Sequence, residues 1–306
     1  MTSQYPDHRE PRRAVPSRVD EAGNLPAAAV HGHVGPAGKP PRRARGITLV
    51  ELLIAAAVMS MIAAALAALA TAVRTSADQA RNHGSATQHA RVLLGRLQQT
   101  LERAHASESF PGFLAVTHAV QSWEFPDTLV VWRASGGPAD PNGLPRFQEL
   151  VFFVPDPQAP NRLLEVTLPG DTRPVPPPSD QAAWRQALAQ VLSDPQAQRL
   201  VWTDRLRVAS AGAASGPWGP YRGAVRFEVL VRPTEAEWSQ FRAGQRAWQD
   251  IAWVQNIRGA QTGLRQACCQ IELQLATDST PSPAPTTADQ ALTFFASAAL
   301  YYELRQ

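Results

Sequence analysis

The chain has 306 residues, 44% of them hydrophobic, which is enough for one or two packed domains and rules out a wholly disordered protein. Its net charge of +3 is concentrated at one end: residues 1–46 hold eight basic side chains (Arg9, Arg12, Arg13, Arg18, Lys39, Arg42, Arg43, Arg45) against four acids, and the remainder holds 21 basic and 22 acidic residues. That balance excludes a nucleic-acid-binding body. The two cysteines, Cys268 and Cys269, are adjacent, so they define no disulfide framework and are expected to pack in a strand.

Residues 1–46 are rich in Pro, Gly, Ala and Arg without apolar periodicity and read as a basic, disordered leader. From Ile47 to Val73 only Thr48, Glu51, Ser60 and Thr71 are polar. As a helix this segment would be about 40 Å long, more than the roughly 30 Å a bilayer core requires. Arg42, Arg43 and Arg45 on its N-terminal flank place that side in the cytoplasm and the rest of the chain outside it. Glu51 is the anomaly, because a carboxylate at bilayer depth costs roughly 2.5–3.5 kcal/mol and needs a partner.

No proline falls between Ile47 and Phe110, although the chain holds 27. One long helix is therefore expected to continue from the apolar run through an amphipathic stretch, residues 74–108. Ala77, Ala80, Gly84, Thr87, Ala90, Leu94, Leu97, Leu101 and Ala104 recur at three- and four-residue steps and form the face to be buried.

Residues 109–306 change to short apolar runs between Pro/Gly loops. Strands are predicted at "TLVVWR" (128–133), "ELVFFV" (149–154), "LLEVTL" (163–168), "AVRFEVLV" (224–231), "CQIELQLA" (269–276) and "LTFFASAALYYEL" (292–304). Two short helices interrupt them. The first runs from about Asp180 to Leu192 behind Ser179 as N-cap, and the second follows a Thr234/Glu237 capping box. Loops "DTRPVPPPSD" (171–180) and "STPSPAPTTADQ" (279–290) are expected to be mobile surface segments. The fold class is α+β: a long N-terminal helix packed on a mostly antiparallel sheet.

"RGITLVELLIA", Arg45 to Ala55, closely resembles the class III signal of type IV pilins and type II secretion pseudopilins: a basic leader ending in Gly, then an apolar residue, Thr, Leu, a β-branched residue, Glu and a Leu-rich helix. The resemblance implies that prepilin peptidase cuts between Gly46 and Ile47 and methylates the new amine of Ile47. It also implies that Glu51 pairs with the Ile47 amine of an adjacent subunit, and that the helix serves first as inner-membrane anchor and then as the core of a pilus or pseudopilus. The other partners implied are further pilin or pseudopilin subunits, met through this helix. Two features depart from the family pattern: the 46-residue leader is long, and Ile47 replaces the commoner Phe. A mature chain of 260 residues with a bulky ectodomain resembles the J-type minor pseudopilins and W-type minor pilins, which implies a place in a tip or initiation complex.

The rival reading is an ordinary exported or membrane-tethered protein, an enzyme or ligand-binding module, whose signal is cleaved near Ala70 or Ala72, after "ALA" or "ATA". No G-x-S-x-G, H-E-x-x-H or phosphate-loop motif supports an enzyme, and no catalytic residue or cofactor is assigned. His118 and Asp127, near Trp123, are a pair to examine, with a structural role expected. Asp140 and Asn142 in "ADPNG" offer too few oxygens to specify calcium. The eight tryptophans are scattered and expected to pack in the core.

Overall fold

The computed structural model describes residues 46–120, 123–210, 221–257, 261–277 and 284–304. Residues 1–45 of the leader, Trp218 and the first part of the 279–290 loop lie outside the described residues. The chain divides between Ser60 and Met61 into two compact units.

Helix α1 runs over Leu49–Glu102, 54 residues, without a proline. Polar side chains in its apolar part bond back one turn: Ser60 Oγ donates to Ala56 O at 2.8 Å and Thr71 Oγ1 to Ala67 O at 2.9 Å. These bonds hide hydroxyls that would otherwise need water. The buried face starts at Ala86 and continues through Ala90, Leu93, Leu94, Leu97 and Leu101. Ala77, Ala80 and Gly84 continue the predicted stripe but are exposed, because periodicity marks a face and not the point at which a sheet reaches it. Ala104 is buried just beyond the helix end.

Among its described residues the second unit holds ten strands: β1 (Phe113–Val120), β2 (Trp123–Trp132), β3 (Leu150–Pro155), β4 (Leu163–Thr167), β5 (Gln198–Thr203), β6 (Val208–Ser210), β7 (Tyr221–Gly223), β8 (Val225–Arg232), β9 (Leu264–Ala276) and β10 (Ala291–Glu303). They form a five-stranded sheet in the order β1-β2-β3-β4-β5, a three-stranded sheet β10-β9-β8 and the pair β6-β7, with every pairing antiparallel. Helices α2 (Gln181–Ser193), α3 (Glu235–Arg242) and α4 (Ala252–Gln255) complete it.

Period-two alternation divides the core. Phe113, Leu129, Val131, Val151, Phe153 and Leu163 point from the five-stranded sheet into one cluster, shared with Leu94, Leu97 and Leu101 of α1 and with Phe227, Ile271 and Leu273 of the three-stranded sheet. Leu114, Val116, Val130, Trp132, Phe152 and Val166 point the other way, onto Trp184, Leu188 and Val191 of α2. A sheet covered on both faces explains why "LVFFVP" is apolar throughout rather than alternating. A third cluster, Trp238, Trp248, Ile251 and Val254, sits under α3 and α4, with the Arg265 guanidinium over the Trp238 ring at 5.1 Å.

The predicted α+β class and the six predicted strands are present, with β2 and β9 starting five residues early. The strands β1, β5, β6 and β7 are additional to the six predicted, β6 and β7 being only three residues long. The α2 N-cap is Asp180 rather than Ser179: its Oδ1 accepts from Ala183 N at 2.9 Å. The Thr234/Glu237 capping box of α3 forms as expected. The 171–180 loop is pinned, with Phe147 N, Gln148 N and Val175 N bonded to Arg173 O, Asp171 O and Pro145 O, and with Val175 buried.

Candidate functional site

The N-terminal site is built by a helix start. Gly46 and Ile47 precede α1 and are exposed, so their peptide bond lies outside the helical hydrogen-bond ladder. Thr48 is the cap. Its backbone N–H donates to Glu51 Oε2 at 3.0 Å and its hydroxyl donates to the same oxygen at 3.1 Å, while Glu51 N–H donates to Thr48 Oγ1 at 3.2 Å. This is a capping box, which satisfies amides that the first helical turn leaves without partners. The carboxylate also sits at the positive end of the helix dipole. Glu51 therefore has a partner within its own chain, one the signature "TLVE" shows and which sequence reasoning applied only at Thr234.

Beyond this cap α1 is bare. Each large apolar side chain from Ile47 to Val73 is at least 49% exposed. Exposing so many Leu, Ile, Val and Met side chains to water forfeits roughly 1.5–3 kcal/mol apiece, so this surface belongs against lipid or other helices. Among the described residues α1 is the one helix long and apolar enough to cross a membrane.

The other candidates resolve differently. His118 and Asp127 do meet, with Nδ1 and Oδ1 at 2.6 Å, and both are buried. A bulge in the β1/β2 register, where Val116 pairs Thr128 but His118 pairs Phe125, gives β2 an extra residue beside Pro126 and turns Asp127 inward. The trio is completed by Arg222 of β7, which sequence reading missed: its Nη1 lies 3.5 Å from Asp127 Oδ2. Burial pulls the Arg222 guanidinium below its ordinary range and the Asp127 charge opposes this. The trio ties β1, β2 and β7 together as a buried ionic contact.

Asp140 spends Oδ1 on its own turn, accepting from Asn142 N at 3.1 Å and Gly143 N at 3.0 Å. Among the described residues no group of three or more His, Cys, Asp or Glu side chains could hold a metal ion. Cys268 and Cys269 are both free thiols. Cys269 lies in the core, where burial pushes its thiol up to about 12, and Cys268 is half-buried on the opposite face of β9. Trp132, Trp184, Trp238 and Trp248 are buried in the clusters, as expected, and Trp202 and Trp253 pack at their margins.

An α+β body continuing from one apolar helix, with a capped glutamate at the helix start, fits a single-pass membrane anchor. The particular signal follows from the comparison with protein families: residues 41–67 match the prokaryotic N-terminal methylation motif. That motif is the class III signal of type IV pilins and pseudopilins. No curated protein and no solved structure matches the chain.

Proposed function

We propose that the chain is a minor pilin or pseudopilin, a structural subunit of a type IV pilus or type II secretion pseudopilus placed in its tip or initiation complex. The observation that carries this reading is the exposed apolar half of α1, which begins within the methylation motif and has Glu51 in its first turn. A mature chain of 260 residues, most of it ectodomain, supports a minor subunit rather than one repeated along a shaft.

In this reading prepilin peptidase cuts between Gly46 and Ile47 on the cytoplasmic side and methylates the Ile47 amine. The Gly46–Ile47 bond is favourable for this because it lies before the cap and is exposed. Cleavage leaves a cationic amine one residue from Thr48. Before assembly, the Thr48 capping bonds hold the Glu51 carboxylate. On entry to the fibre Glu51 meets the Ile47 amine of the adjacent subunit, and a subunit with the wrong axial offset forgoes that pair. The ion pair thus sets register more than it adds net stability. Ala55, Ala56, Ala57, Ala63, Ala64 and Ala65 let neighbouring helices approach closely.

Mass spectrometry of the N-terminus of the protein purified from membranes of cells containing a prepilin peptidase tests this reading. N-methylated Ile47 is expected. A mature start after Ala70 or Ala72 would overturn it and make the chain an ordinary exported protein.

A further inference from the structure

Two sheet edges each receive a glutamine side chain. On β1, Gln181 of α2 accepts from Thr117 N and donates to Ala115 O, both at 3.2 Å. On β10, Gln98 of α1 donates to Ser297 O at 2.9 Å. Strand β5 has no such cover. It ends the five-stranded sheet with β4 as its one strand neighbour, and among the described residues nothing else bonds to its backbone.

An edge strand turns alternate N–H and C=O groups outward and pairs readily with another chain, so proteins blunt edges with charge, proline or cover. β5 instead presents Leu200, 59% exposed, and Val201, 47% exposed. Its one charge, Arg199, is drawn off to the carbonyls of Leu192 and Asp194 at 2.8 and 3.1 Å.

Beside this edge lies a groove of about 280 Å³ between α1 and β5, lined by Gln88, His89, Val92, Leu93, Arg96 and Trp202. Its apolar walls are rigid on one side, since Trp202 packs edge-on to Phe153 with centroids 4.8 Å apart. Val92, 56% exposed, is the open wall. The rim is basic: Arg96 lies in the groove and Arg205 reaches to 3.5 Å from Ser85 Oγ, one turn before it. Neither arginine forms an ion pair among the described residues, and the nearby Glu165 carboxylate is held by Arg133 at 3.1 Å.

We propose that the free edge of β5 and the adjoining α1–Trp202 groove dock an extended segment of a partner polypeptide that carries, on one face, an apolar residue between two acidic ones. The segment adds as a sixth strand, so its backbone satisfies the outward groups of β5. The apolar side chain enters the groove against Val92 and Trp202. The two carboxylates, about 13 Å apart along a strand, meet Arg96 and Arg205. That spacing is comparable with the roughly 16 Å of helix from Ser85 to Arg96. Lipid is a poor occupant, because Val92 lies about 28 Å along the helix beyond Val73, where the apolar run ends.

The test uses the full chain in phospholipid nanodiscs and a fluorescent peptide, Thr-Glu-Thr-Val-Thr-Glu-Thr, read by anisotropy and by amide hydrogen exchange of residues 198–203. Saturable binding with slowed exchange in that segment is expected. Leu200→Glu and Arg96→Glu, both at exposed positions, should each weaken it roughly tenfold by repelling the two peptide carboxylates. A peptide with Lys in place of Glu should bind Arg96→Glu better than the native chain. Absence of saturable binding, or binding unchanged by both substitutions, overturns the proposal. Protection of 198–203 without peptide, rising with protein concentration or on transfer from detergent to nanodiscs, overturns it in favour of a second copy or of lipid.

Discussion

Thr48 and Glu51 hold each other across the first turn of α1, with two donations to Glu51 Oε2 at 3.0 and 3.1 Å and one returned to Thr48 Oγ1 at 3.2 Å. If these bonds hold Glu51 for assembly, Thr48→Val should leave cleavage intact and impair incorporation into the fibre, with Thr48→Ser close to the native chain. Loss of such a cap costs about 1 kcal/mol. Glu51→Ala should also be processed and fail to assemble. Immunoblots of membrane and sheared-fibre fractions read both steps, and normal incorporation of Glu51→Ala would sink the pairing mechanism.

In the proposed reading Gly46 serves processing rather than assembly. Gly46→Asp puts a branched, charged side chain at the bond the peptidase must accept. It should leave a full-length species in the membrane, measured by intact mass, with no methylated Ile47.

Asp127 contacts His118 at 2.6 Å and Arg222 at 3.5 Å inside the sheet junction. Asp127→Ala removes the buried carboxylate that His118 and Arg222 both contact and should destabilise the ectodomain by about 3–5 kcal/mol. Replacing all three residues by apolar ones of similar volume should recover much of that loss. Thermal unfolding of the three-residue and single variants measures the difference. Equal instability in both would mean the trio does more than neutralise charge.

Glu237 supplies a pH dependence of known sign. The Thr234 backbone N–H, then its hydroxyl, hold the Glu237 carboxyl below its ordinary value of 4.5. A depressed folded-state value means the contribution is present above 4.5 and is lost as pH falls through the folded value. The melting difference between native and Glu237→Gln chains should therefore be full at pH 7 and shrink below pH 4.5. A difference unchanged down to pH 3 would show that the cap does not depend on the charge.

Cys269, buried with its thiol pushed up to about 12, should resist iodoacetamide at pH 8 until the protein unfolds. Cys268, whose thiol burial also raises, is half-buried and should label first but slowly. Peptide mass spectrometry with and without denaturant distinguishes the two.

The sequence by itself determined the features set by local pattern. The apolar run, the proline-free helix, the methylation motif, the Thr234 capping box and the alternating strands β8 and β9 each depend on residues within a few turns or positions of one another. The Thr48/Glu51 cap is equally local, and its signature was present unread. Tertiary structure decided what depends on distant neighbours. β5 is a strand because β4 offers it an edge, and the helix stripe begins at Ala86 because the sheet reaches no earlier residue. Arg222 joins His118 and Asp127 from about a hundred residues away, and a bulge beside Pro126 turns Asp127 inward to meet it. Periodicity specifies which face of an element is apolar, whereas only packing decides what covers that face and which edge stays open.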